Sequence, residues 1–245
     1  MTDEQVNVQT EVNQVADILN FINTRPNTVD SIFRGHRDHE WKLNPKLARH
    51  TSITIRKREK IVMNEFKRLS LPFISIQPRN EFDWLTLAQH HGLPTRLLDW
   101  TYNPLTALWF VVRKGADNGN DGSVWMFSPL LEDWQVQQQD SHDNPYSVSE
   151  IMIYRPTYIS QRIATQTSVF TIHPTGSDDE ITPLERSYKH RNKLFKMMVP
   201  RARFKDIRKE LNKYNINEST IFMDLDGICG YLGWRYLEIE PKVKG

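Results

Sequence analysis

The segment Gln89–Phe110, QHHGLPTRLLDWTYNPLTALWF, fixes two helix boundaries within one short span and so constrains the fold more than any other stretch. Trp84, Leu87, Ala88 and His91 recur at i, i+3, i+4 and i+7, which predicts a helix over Glu81–His91 with one buried face. Gly92 supplies the left-handed stop and Pro94 forbids continuation. Asn103 and Pro104 then read as a cap and a first-turn proline, with Leu105, Leu108, Trp109 and Val112 as the apolar stripe of a second helix. Between the two helices TRLLDWT is extended and sets Arg96 and Asp99 beside Leu97, Leu98 and Trp100. Ionisable groups among core-forming residues need partners or a purpose.

Elsewhere the patterns alternate between helix and strand. Residues 1–9 read as a disordered tail, and Val12, Val15, Ala16, Leu19 and Ile22 place a helix over Thr10–Asn23. Asp30–Arg34 is strand-like and leads into Arg34-Gly35-His36, where Gly35 marks either a bulge or a close backbone approach. Ile55–Leu69 is a charged helix with Val62, Phe66 and Leu69 inward, its charge serving either solvation or a nucleic-acid surface. Residues 129–150 lack basic side chains and form a surface excursion. Ser123–Phe127, Val169–Ile172 and Leu194–Val199 are strands, the last closed by Pro200. Arg201–Tyr214 is amphipathic with Phe204, Ile207 and Leu211 inward, Glu218–Trp234 is a final helix, and YLEIE is strand-like. Strands interleaved irregularly with helices, without a repeat, predict an α+β fold: a single domain over residues 10–245 with a central mixed or antiparallel sheet and flanking helices.

A net charge of +2 excludes a chain that is basic throughout, although Arg191–Lys213 carries nine Lys or Arg against two acids. That patch lacks interleaved exposed aromatics. A single cysteine, Cys229, forms no internal disulfide and suits a reducing cytosol, and it reads as a small apolar filler in its helix. The acidic, polar MTDEQVNVQTEVNQ differs from a secretory signal, and no run reaches the ~18 apolar residues of a membrane helix. A cytoplasmic location without membrane contact is expected. Adjacent His90 and His91 would project about 100° apart on a helix, and His36-x-x-His39 alone has chelating spacing, so no metal is expected. Nucleophile-elbow and Gly-rich phosphate motifs are absent. The remaining constellation is Arg34, His36, Arg37, His90, His91, Arg96, Asp99 and Thr101. It reads either as a structural Arg96–Asp99 network or as an anion or nucleotide pocket. In the second reading the arginines bind phosphate, Trp84 or Trp100 stacks on a ring, and His or Asp handles protons.

Phe33-Arg34-Gly35, HHGLPTRLLDWTYNPLTALWF, Arg162-x-x-x-Gln166 before Phe170, and FMDLDGICGYL together resemble the FRG domain, a bacterial and phage-associated family named for its tripeptide. The resemblance spans roughly residues 28–232, with Met223 where proline is common and Ser168 where glycine is common. It implies little about activity, because the family is one of unknown function. A weaker resemblance is to the ADP-ribosyltransferases, in the order strand-borne Arg-Gly, Thr-containing segment entering an apolar helix, and Gln-x-Ser strand. It implies that family's fold, NAD as the nucleotide substrate, and Arg34, Thr101 and Gln166 in its three positions, with Ser168 where the catalytic glutamate would stand. A neutral serine stabilises oxocarbenium charge far less than a carboxylate. His91 or Asp99 would then handle protons, while Glu238-x-Glu240 offers a carboxylate pair or a plain terminal strand. The expected site therefore comprises His91, Asp99 and Gln166 as catalytic residues and Arg34, Gly35, His36, His90, Arg96, Trp100, Thr101 and Arg162 as nucleotide-binding residues. Two function classes follow. One is an NAD-using ADP-ribosyltransferase-like or NAD-cleaving effector of the toxin or phage-defence kind; the other is a non-catalytic module that binds nucleic acid or protein through its basic helices.

Overall fold

Seven strands share one sheet in the computed structural model, which describes residues 8–25, 30–49, 58–114, 119–134, 144–156, 168–176 and 180–239. In chain order the elements are β1 (Val8–Glu11), α1 (Val15–Asn23), β2 (Ile32–His36), α2 (Glu59–Ser70), α3 (Glu81–His90), β3 (Leu97–Thr101), α4 (Pro104–Val112) and β4 (Gly122–Phe127). There follow β5 (Met152–Tyr154), β6 (Ser168–Ile172), β7 (Leu194–Val199), α5 (Phe204–Lys213), α6 (Glu218–Phe222) and α7 (Leu225–Gly233). The strands lie in the order β1-β7-β4-β2-β3-β6-β5. β1 runs parallel to β7 and every other neighbour is antiparallel, so the fold is α+β with a mixed sheet.

Strand alternation sorts the core onto two faces. Phe33, Val124, Met126 and Met197 pack under α1, α4 and α5, and farther along the same face Leu97, Phe170 and Ile172 pack under α2 and α3. Ile32, Leu98, Trp100, Trp125 and Val169 point the other way, onto Leu43, Ile151 and Leu184. The two helical layers meet over β2 and β3, which pair at Phe33–Thr101 alone. Gly35 is the close backbone approach: a Cβ there would stand 2.0 Å from the Ala107 carbonyl oxygen of α4.

Several elements differ from the sequence expectation. Val8–Glu11 form a strand rather than the end of a tail and the first turn of a helix. The helix starts at Val15 because the Asp17 carboxylate accepts from the Asn13 and Gln14 amides at 2.8 and 3.0 Å. Residues 1–7 lie outside the described residues. On α2 the buried residues are Glu59 and Met63, with Phe66 partly buried; Val62 and Leu69 are exposed. Met223, at φ 50°, separates α6 from α7, and the Asp224 side chain caps α7 by accepting from the Gly227 amide at 2.7 Å. Trp234–Glu238 coils as a π-helical turn instead of a strand, with the Arg208 guanidinium 4.5 Å from the Trp234 ring, and Glu240 lies outside the described residues. Cys229 is exposed, so it fills no core gap. No described helix is long and apolar enough to cross a membrane.

Two buried histidines make the fold acid-sensitive. The Trp100 indole N–H donates to Thr171 Oγ1 at 3.1 Å, and the Thr171 hydroxyl lies 3.0 Å from His173 Nε2, whose Nδ1 lies 3.0 Å from the Thr182 carbonyl. The chain closes with Nδ1 protonated and Nε2 accepting, which requires neutral imidazole. Burial lowers His173 from 6.5 to about 4 and His36 well below 6.5, and the Arg34 charge lowers both further. A depressed histidine means that the unfolded chain binds more protons, so stability is full above pH 6.5 and falls as pH drops toward the folded value. His173 alone should cost roughly 3 kcal/mol over that window. Urea midpoints measured from pH 7 to pH 4 should fall steadily, and His173→Gln should flatten the decline.

Candidate functional site

Because β2 and β3 part beyond Phe33–Thr101, and α4 crosses above them, a hollow of about 480 Å³ opens on the helical face. Its floor is Phe33, Arg34, Gly35, Asp99, Trp100 and Thr101; α4 adds Asn103, Thr106 and Phe110, and the chain around the start of α6 adds Asn215, Ile216 and Thr220.

Arg34 alternates onto the face of Ile32 and His36, and its side chain spans the gap between the parted strands. Nε donates to His36 Nε2 at 3.0 Å and Nη1 to the Asp99 carbonyl at 2.6 Å. The Nδ1–H of His36 in turn faces the Trp41 carbonyl at 3.2 Å, so the neutral imidazole acts as a fixed acceptor that aims the guanidinium. Nη2 has no hydrogen-bond partner among the described residues. Burial lowers Arg34 to about 10, which leaves it a cation at neutral pH, with 17% of the side chain exposed.

Asp99 sits 3.8 Å from the Arg34 Nη1 and keeps 54% of its side chain exposed. Gln89 Nε2 donates to it at 2.9 Å, and the Thr95 hydroxyl donates to Gln89 Oε1 at 2.7 Å, so the carboxylate is steered from α3. Arg49 lies near enough for Asp99 to raise its pKa against the lowering effect of burial. At the start of α4 Asn103 accepts from the Leu105 and Thr106 amides, and Thr101 Oγ1 accepts from the Asn103 amide at 3.1 Å. Asn215 enters the wall in the left-handed region, φ 60°, which asparagine tolerates.

The hollow therefore gathers Arg34, Gly35, Asp99, Trp100 and Thr101, with His36 directly behind. Other expected site residues stand elsewhere. His90 and His91 pack edge to face at the end of α3 and do not line the hollow; from the same turn Gln89 reaches Asp99. Arg96 does not pair with Asp99. From the bend just ahead of β3 it forms a buried ion pair with Glu59 of α2, Nη2 to Oε2 at 2.6 Å, and its backbone amide also reaches that carboxylate at 3.2 Å. Trp100 is buried and its indole N–H is committed to Thr171, so Phe110 is the accessible ring; Trp84 packs against Phe66 instead. Arg162 and Gln166 lie outside the described residues, and the backbone of Ser168 pairs with Thr101. No group of three His, Cys, Asp or Glu among the described residues could hold a metal ion.

The family model of the FRG domain matches residues 29–120, the span that runs from β2 through α4 and supplies most of the floor and one wall of the hollow. Comparison with curated proteins and with solved structures gives no match. Residues 29–120 thus match the FRG domain, and the Phe33-Arg34-Gly35 tripeptide within that span lies in the floor of the hollow.

Proposed function

We propose that the hollow is a nucleotide site and that NAD is its substrate, cleaved at the bond between nicotinamide and ribose. The observation that carries this reading is that Arg34, held on two of its nitrogens with a third left over, shares one cavity with the exposed carboxylate of Asp99. A guanidinium aimed in advance binds phosphate with little ordering cost. As the glycosidic bond breaks, its electron pair leaves with nicotinamide, positive charge grows at the ribose carbon, and water adds there and gives up a proton to solvent, leaving ADP-ribose. A carboxylate nearby stabilises that charge as it develops, and Asp99 supplies one where Ser168 supplies none. Thr101, Asn103, Thr106 and Thr220 offer hydroxyl and amide groups for a sugar, and Phe110 offers an aromatic face.

Wild-type protein should bind NAD in calorimetry and release nicotinamide. Arg34→Ala and Asp99→Asn should each lower turnover to about one hundredth or less, the scale of losing one electrostatic contact to a transition state, with circular dichroism unchanged. His91→Ala should leave turnover near wild type, since His91 lies outside the hollow. Wild-type protein that neither binds nor consumes NAD overturns this reading.

A further inference from the structure

We propose that a single-stranded nucleic acid lies along a basic track that leads from the rim of the hollow to the outer side of α5. The track stands apart from the reading above, which leaves the hollow to NAD.

The track is continuous because its parts share walls. The hollow and a neighbouring cleft of about 380 Å³ have Gly35 and Phe110 in common. That cleft and a groove of about 1040 Å³ have Arg113 and Lys114 in common. Along this path Arg37, Lys114, Arg201, Lys205 and Lys209 make no ion pair among the described residues. Arg201, Lys205, Arg208 and Lys209 follow at i, i+4, i+7 and i+8 and so form one stripe beside the groove. The two acids on the path are already occupied: Glu218 lies 3.4 Å from Arg113 and Glu238 lies 3.7 Å from Arg208. Burial lowers both Arg113 and Arg208, and Arg37 lowers Arg113 further, as Arg113 does Arg208. Cations crowded in this way gain from an external anion, and a chain of phosphates supplies several at regular intervals.

Aromatic rings decide between strand types. In the basic stretch Phe195 and Phe204 turn inward, but the fold brings Phe110 and the exposed Trp41 into the intermediate cleft, with the Arg37 guanidinium 5.4 Å from the Trp41 ring. Unpaired bases stack on such faces, whereas a duplex keeps its bases covered.

Fluorescence anisotropy of the full chain with labelled twelve-nucleotide oligo-U and oligo-dT tests the proposal. At low salt a Kd on the order of micromolar is expected, falling off with salt by about 0.7 log units per log unit for each phosphate held. Binding of either strand supports the proposal, and the tighter of the two gives the sugar. Lys205→Ala combined with Lys209→Ala, both exposed, should weaken binding about tenfold near physiological salt and flatten the salt slope by about 1.4. Flat curves at low salt, tighter binding of a matched duplex, or unchanged binding by the double variant would each overturn it. NAD turnover retained without strand binding removes the track alone, and strand binding without NAD turnover leaves the track standing and removes the reading above.

Discussion

Gly35→Ala should cost about 4 kcal/mol of stability, beyond the usual range for one added methyl in a packed core. The reason is the partner of the collision. The new Cβ would meet the Ala107 carbonyl oxygen at 2.0 Å and Val111 Cγ2 at 3.0 Å. A side chain could rotate away, but a helix carbonyl moves only with its helix, so α4 must lift from β2 and take Thr106 and Phe110 out of the hollow. Urea denaturation should report the loss through a lower midpoint. Gly92→Ala is the control, because Gly92 has φ +86° and open space around its Cβ position. It should cost only about 1 kcal/mol, the strain of a left-handed alanine. Equal losses at the two sites would contradict the steric account.

Arg96→Met should destabilise the protein by roughly 3–5 kcal/mol, because it strands the Glu59 carboxylate in the interior. The side chains of Arg96 and Glu59 are 7% and 4% exposed. Glu59 accepts from Arg96 Nε at 3.0 Å, from Nη2 at 2.6 Å and from the backbone amide at 3.2 Å, while Nη1 reaches the Pro145 carbonyl at 3.3 Å. Glu59→Leu alone should be similarly costly, since it leaves the guanidinium unpaired. Combining the two substitutions should recover most of the loss, for apolar replacements of a buried ion pair are often neutral. A double-mutant cycle in urea gives the coupling directly. Near-additive losses would mean that the pair does not act as a unit. Because Arg96 stands outside the hollow, any folded fraction of Arg96→Met should still bind NAD with wild-type affinity. The sequence alone offers Arg96 either Asp99 as an ion-pair partner or a place in the nucleotide pocket, and the fold gives it Glu59 instead.

What could be read in advance was mostly local. Gly92, Pro94, Asn103 and Pro104 each impose a backbone consequence within a few residues, so the helix–strand–helix passage appears where the sequence puts it. The meeting of Arg34 with Asp99 was legible too, because both lie on strands beside motifs of one family. The partner of Arg96 was not: Glu59 is 37 positions away, on a helix whose apolar stripe suggested another inner face. Gln89 and Arg49 became visible only in three dimensions, because nothing in their own neighbourhoods marks them as companions of Asp99. The strand at Val8–Glu11 was hidden for a similar reason, since its register is set by β7 at the far end of the chain. Polar residues in an edge strand leave no periodic signature.

The lone ladder pair at Phe33–Thr101 also divides the molecule mechanically. β1, β7, β4 and β2 form one well-laced panel, and β3, β6 and β5 form another. Across the joint, cohesion falls to side chains: the apolar cluster of Ile32, Trp125 and Phe127 with Leu98, Trp100 and Val169, the Arg34 reach to the Asp99 carbonyl, and α4, which is anchored to one panel by sequence and lies on the other by packing. Any molecule seated there touches both panels and acts as a cross-brace, so occupancy should stiffen the sheet from edge to edge.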